Sequence, residues 1–207
     1  NFAGISMAMG YVPSLTWLEA IRRRPRIAFG RRIAWLSEAR EDGKSSAIEM
    51  VLNVTRETLE RAGFDLSTST SVPEGLAEAQ IAVVAAHGSV ACDGKYFHRI
   101  SDEGELVLTP RTLASAVGGA EMVILFVCSA GRTDPHPFLN TAVGMPNLLL
   151  AAGTRTVIAS PWPLSSTVPG PWLEAFMEAW DAGETALDAN FAANARVQKR
   201  YGYEPQH

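Results

Sequence analysis

The sequence predicts an α/β fold in which helices cover both faces of a mostly parallel sheet. Two observations carry that expectation. Three short apolar runs have no polar alternation: Ile81-Ala82-Val83-Val84-Ala85-Ala86, Met122-Val123-Ile124-Leu125-Phe126-Val127 and Thr156-Val157-Ile158-Ala159. Such runs read as strands buried on both sides, the habit of a parallel sheet under helices. Between them stand segments whose apolar residues recur at helical spacing. Strand–helix alternation of this kind implies right-handed crossovers.

The elements follow in chain order. Ile33-Ala34-Trp35-Leu36 is an earlier apolar run and a fourth strand candidate, after Arg22-Arg23-Arg24, which reads as a solvated helix end. From Ser46 to Gly63, Ile48, Val51, Leu52, Leu59 and Ala62 trace a helix. Ser45 or Ser46 is its N-cap, Glu49 stands in capping-box position, and Gly63 is the C-terminal glycine. Tyr96 to Thr109 reads as a β-hairpin insertion, with Ser101-Asp102-Glu103-Gly104 between Tyr96-Phe97 and Leu106-Val107-Leu108. Thr109 caps a helix from Pro110 to Val117, with proline at its first position. Another helix is expected from Leu139 to Ala152, ending at Gly153. Trp172, Leu173, Phe176, Met177 and Trp180 form one wide stripe closed by Gly183, and a last helix runs from Thr185 to about Tyr201.

Composition narrows the function classes. The chain has 207 residues, 47% hydrophobic and 19% charged, with 18 Lys+Arg against 22 Asp+Glu for a net charge of −4. One globular domain over residues 1–207 is expected. Mild acidity argues against nucleic acid, which selects a basic face. No run approaches the ~18–20 apolar residues of a membrane span. The two cysteines, Cys92 and Cys128, have no metal spacing and read as reduced thiols of a cytoplasmic protein. Asn1 and the tail Tyr203-Glu204-Pro205-Gln206-His207 give the expectation of a domain cut from a longer protein at both ends. There is no Gly-x-Ser-x-Gly elbow or Walker loop, and Gly118-Gly119 precedes a strand rather than opening a helix.

In open α/β sheets, ligands gather at the carboxyl ends of the strands. The first run ends in Ala86-His87-Gly88, the second in Val127-Cys128-Ser129-Ala130-Gly131, the third in Ser160-Pro161-Trp162-Pro163. An imidazole and a thiol therefore stand over one crevice. A thiol of pKa ~8.5 is a poor nucleophile at neutral pH until a neighbouring imidazole favours the thiolate. The thiolate attacks a carbonyl carbon and the histidine protonates the leaving amine. The Gly88 and Cys128 N–H groups are candidate oxyanion donors. Taken singly, each residue has a plainer reading: His87 as a satisfied structural histidine, Cys128 as an inert buried hydrophobe.

Other polar residues near the strand ends are weaker candidates. Cys92 sits in a loop with no oxyanion framework and reads as a bystander; His98 falls in the hairpin and His136 in the loop after Cys128. Asp93 and Asp134, each six residues from the dyad, are loop acids that could match a basic side chain. Trp162 reads equally as core or as pocket wall.

These residues resemble a known family. Ala85-Ala86-His87-Gly88 and Leu125-Phe126-Val127-Cys128-Ser129-Ala130-Gly131 look like the His-Gly and Cys motifs of the CHAT domain, a relative of separase, gingipain and the caspases. Tyr11-Val12-Pro13-Ser14-Leu15 resembles its Pro-Ser-Leu segment, and Asp102-Glu103-Gly104-Glu105-Leu106-Val107-Leu108 its acidic hairpin. Leu148 to Gly153 and Val157 to Pro163 resemble the helix, strand and Trp-Pro turn after the cysteine. The likeness runs from about Tyr11 to the C-terminus. It implies a three-layer α/β/α caspase-like sandwich and peptide-bond hydrolysis, with His87 as general acid/base, Cys128 as nucleophile and Gly88 in the oxyanion hole. Ser160 to Trp162 would flank the substrate strand. No metal or organic cofactor is implied, and the expected partners are a protein or peptide substrate and a regulatory partner or helical-repeat segment, as in prokaryotic signalling. Three departures stand out: Ala86 where the family has Thr, Ser129-Ala130-Gly131 where Thr-Gly is usual, and Ser165-Ser166-Thr167 in place of acids. A catalytically silent interaction module of the same fold is the alternative; a flavodoxin-like small-ligand binder is a third.

Overall fold

The computed structural model describes residues 7–25, 30–37, 46–90, 98–100, 108–135 and 142–202. The first half holds helix α1 (Leu15–Arg23), strand β1 (Arg32–Ser37), helix α2 (Ser46–Arg61) and strand β2 (Asp65–Ser69). Strands β3 (Ile81–Ala86), β4 (Gly88–Val90) and β5 (His98–Ile100) follow, then helix α3 (Pro110–Val117) and strand β6 (Met122–Val127). Strands β7 (Thr133–Pro135) and β8 (Ala142–Gly144), helix α4 (Met145–Ala151), strand β9 (Thr156–Ala159) and helices α5 (Pro169–Asp181) and α6 (Ala186–Tyr201) complete the chain.

The main sheet has the order β2-β1-β3-β6-β9, with every neighbouring pair parallel. Its uninterrupted apolar runs follow from the pleat, which sends alternate side chains to opposite faces. On β6, Val123, Leu125 and Val127 join Trp35, Leu113 and Leu149 in one core. Met122 and Ile124 join Leu36, Leu59, Leu173 and Phe176 in the other. Helices α3 and α4 thus cover one face and α2, α5 and α6 the other. Each fully buried Leu or Phe contributes about 1.5–3 kcal/mol relative to exposure. Both layers are needed to keep such strands out of water, and the architecture is a three-layer α/β/α sandwich.

The helix signals fall where the residues place them. Thr109 Oγ1 accepts from the Thr112 amide at 3.1 Å, with Pro110 opening α3. Thr185 Oγ1 accepts from the Asp188 amide at 3.2 Å at the start of α6. Gly63 takes φ +74° just past α2, a left-handed C-terminal position that favours glycine.

The structure adds two features and corrects one expectation. The edge strand β2, Asp65-Leu66-Ser67-Thr68-Ser69, is too polar to show an apolar run, yet its backbone pairs with β1 along its whole length. Gly88–Val90 pairs antiparallel with His98–Ile100 in a small ribbon whose first strand begins directly after His87. Residues 101–107, the turn and most of the second arm of the expected hairpin, lie outside the described residues. The helix expected from Leu139 begins only at Met145, because Ala142–Gly144 pairs with Thr133–Pro135 in a second small ribbon. Pro146 explains the late start. Proline lacks an N–H and fits the first turn, whereas a helix from Leu139 would bury it mid-helix at a cost of about 3 kcal/mol.

The amino ends of the strands carry a brace. Ser14 Oγ caps α1 by accepting from the Trp17 amide at 3.0 Å, and Trp17 Nε1 donates to the Leu150 carbonyl at 3.3 Å. Arg155, just before β9, pairs with Glu121, just before β6, at 2.6 Å. Its guanidinium also donates to the carbonyls of Ile21 at 2.7 Å, Arg24 at 2.6 Å and Pro25 at 3.1 Å. Arg24 in turn donates to the carbonyls of Gly153 and Gly119. The arginine run therefore only partly fits a solvated helix end. Arg23 is exposed beside Glu19, but Arg24 turns inward.

Candidate active site

The register of the two central strands decides where the chemistry sits. Ala86 of β3 lies opposite Val127 of β6, so the next residues, His87 and Cys128, leave the sheet side by side at its carboxyl edge. Neighbouring strands are ~4.8 Å apart, which sets the scale of the crevice between them. Both side chains are part-buried rather than sealed in the core. Cys128 is a reduced thiol. His87 Nε2 is buried and has no hydrogen-bond partner among the described residues. Buried polar atoms are nearly always paired, so an unpartnered imidazole nitrogen at this edge of the sheet stands out.

The turn after Cys128 is held in an unusual conformation. Ser129 takes φ +58°, the one non-glycine residue with positive φ among those described. The left-handed region costs an ordinary residue on the order of 1–3 kcal/mol and persists where neighbours enforce it. Here the neighbour is the turn after β9. The Ser129 amide donates to the Trp162 carbonyl at 3.1 Å, and the Gly131 amide to the Ser160 carbonyl at 2.8 Å. The turns touch so closely that a Cβ on Gly131 would fall 2.6 Å from the Ala159 carbonyl oxygen. Only glycine fits there.

The β9 turn is itself fixed. Ser160 Oγ accepts from the Trp162 amide at 3.1 Å and donates to the Trp162 carbonyl at 3.0 Å. Trp162 is 61% exposed between two prolines, which excludes a core position. Beyond it, the Leu164 amide donates to Cys128 Sγ at 3.4 Å. The far end of this loop is tied down by the Tyr201 hydroxyl, which donates to the Thr167 carbonyl at 3.1 Å.

The chain matches the CHAT domain family over residues 14–207, nearly its whole length. It belongs to the CHAT domain family. That family is related to the caspase-like cysteine peptidases, and the five-stranded parallel sheet agrees with it. No curated protein matches the sequence. The match to the CHAT domain begins at Ser14, the cap of α1, so the helix braced at the amino edge belongs to the family's domain.

Other sequence-derived candidates of this CHAT domain fall as follows. Gly88 begins β4 opposite Ile100, directly beyond His87. Asp134 lies on β7 opposite Val143, with its side chain outside the described residues, and the same holds for His98 on β5 opposite Val90. Cys92, Asp93 and His136 lie outside the described residues. Among those described, no group of three or more His, Cys, Asp or Glu could hold a metal ion, and no helix is long and apolar enough to cross a membrane. Sequence reading missed the Leu164 amide, since a backbone donor carries no residue-type signal. The left-handed Ser129 was equally hidden, although the glycine two residues on hinted at a tight turn.

Proposed function

We propose that this CHAT domain is a cysteine endopeptidase that cleaves a partner protein with a His87/Cys128 dyad. The observation that carries the reading is the in-register exit of His87 and Cys128 from adjacent strands, with His87 Nε2 buried and unpartnered. His87 takes the proton from Cys128 Sγ, and the sulfur attacks the scissile carbonyl carbon. A C–S bond forms while the C=O electron pair moves onto oxygen, where the Gly88 and Cys128 N–H groups receive it. Collapse breaks the C–N bond, and His87 returns its proton to the leaving amine. Water, deprotonated by His87, then attacks the thioester carbonyl, releases the acid product and restores the thiol.

The substrate strand runs beside the turn Ser160 to Trp162, with the exposed indole of Trp162 as an apolar wall. Asp134 supplies a carboxylate for a basic side chain before the scissile bond. No metal or organic cofactor enters the reaction. The protein acts in the cytoplasm, in prokaryotic signalling, and activity is governed by a regulatory partner or a helical-repeat segment. The test is a peptide library offered to the wild type and to Cys128→Ala. Cleavage by the wild type, preferring Lys or Arg before the cut and abolished in the variant, is expected. Cleavage that survives the substitution ends the dyad reading. No cleavage by either, with the regulatory partner present, favours the silent interaction module.

A further inference from the structure

The turn after β9 does more than border a substrate strand. Both of its carbonyls are tied to the turn carrying the thiol, Ser160 to Gly131 and Trp162 to Ser129. The Ser160 hydroxyl closes the turn from within, bonding the amide and the carbonyl of Trp162 together. Two residues further on, the Leu164 amide points its hydrogen at Cys128 Sγ. The Leu164 amide therefore reaches the sulfur from a loop whose geometry the Ser160 hydroxyl sets.

We propose that Ser160 is a positioning residue, whose hydroxyl holds the β9 turn so that the Leu164 amide stabilises Cys128 as the thiolate. A neutral thiol is a weak acceptor, whereas the anion is a strong one, so an N–H fixed at the sulfur favours the ionised form. Other charged groups do not duplicate this role from the same loop. Residues 160–167 contain no titratable side chain. His87 stands on the neighbouring strand end and Arg132 closes the turn after Cys128, with its amide donating to the Ser129 carbonyl at 3.0 Å. Both remain in place in the variants below. The inference rests on reading Cys128 as the nucleophile, but it concerns the sulfur's ionisation rather than turnover.

The test measures the rate of Cys128 alkylation by iodoacetamide against pH, read by intact mass, in a Cys92→Ser background. A hydrogen bond to a charged acceptor is worth about a ten-fold change in an equilibrium or more. Ser160→Ala should therefore cut the rate at neutral pH about ten-fold and move the profile's midpoint upward. The rates should converge with wild type at high pH, where every form is thiolate. Ser160→Thr, which keeps the hydroxyl, should retain the wild-type profile, and Leu164→Pro, which deletes the donor, should behave as Ser160→Ala. A Ser160→Ala profile with an unmoved midpoint, or a rate lowered equally at every pH, overturns the proposal. Peptide cleavage is not needed for this readout. A chain that cleaves nothing yet shows the Ser160-dependent profile defeats the peptidase reading alone; one that cleaves with a Ser160-independent profile defeats this inference alone.

Discussion

The two edges of the central sheet are built on opposite plans. At the amino edge, Arg155 and Arg24 are bonded to a buried carboxylate and to a ring of carbonyls, which locks α1 against the turns before β6 and β9. At the carboxyl edge, His87 Nε2 has no hydrogen-bond partner among the described residues, Ser129 sits in the left-handed region and Trp162 is turned to solvent. The same sheet thus carries an ion-paired base and a rim with an unpartnered imidazole nitrogen. The strained backbone of Ser129 sits where chemistry is expected, and the rest of the fold over-determines it.

This contrast predicts that substitutions at the two edges fail in different ways. The largest effect belongs to the rim: Cys128→Ala should lower peptide cleavage about 10⁴-fold or more, while its denaturation midpoint stays near wild type. A matched loss of stability would mean that the thiol serves packing instead. At the base, Arg155→Ala leaves the Glu121 carboxylate buried without its cation, a change worth about 3–5 kcal/mol. Urea denaturation should show that loss as a lower midpoint with unchanged slope, and alkylation of Cys128 in the remaining folded protein should proceed at the wild-type rate. A stability change below about 0.5 kcal/mol would show that the brace is ornamental. Smaller still is Gly131→Ala, which forces the two rim turns apart and should cost about 1–3 kcal/mol by overpacking. Unlike Arg155→Ala, it should also slow Cys128 alkylation, because the Leu164 amide moves with the β9 turn. An unchanged alkylation rate there would separate the clasp from the sulfur.

The sequence made the interior of the fold readable and left its margins obscure. Double-sided burial writes itself into a run such as Met122 to Val127, so the sheet and the placement of His87 and Cys128 beside each other could be read before any coordinates. Local caps were equally plain, since Thr109-Pro110 and Thr185 act within one turn. The edge strand β2 was illegible because Leu66 is its single large apolar residue, and an edge held by backbone pairing needs no apolar signature. The late start of α4 depended on weighing Pro146 against the leucines after it. Arg155 and Leu164 were beyond reach for a different reason: their partners lie far away in sequence, and one of the groups is a main-chain amide. Of the candidate site, the side-by-side placement of His87 and Cys128 was legible; the bonds between the two turns beyond them were not.

The central claim is that His87 and Cys128 work as one unit, and the most direct measurement is competitive labelling of the wild type and His87→Ala. With limiting iodoacetamide at pH 7, intact-mass and peptide mapping give the ratio of Cys128 to Cys92 modification. The wild type should label Cys128 ahead of Cys92, and His87→Ala should erase most of that preference. Equal labelling of the two thiols in the wild type, or a Cys128 preference indifferent to His87, would contradict it.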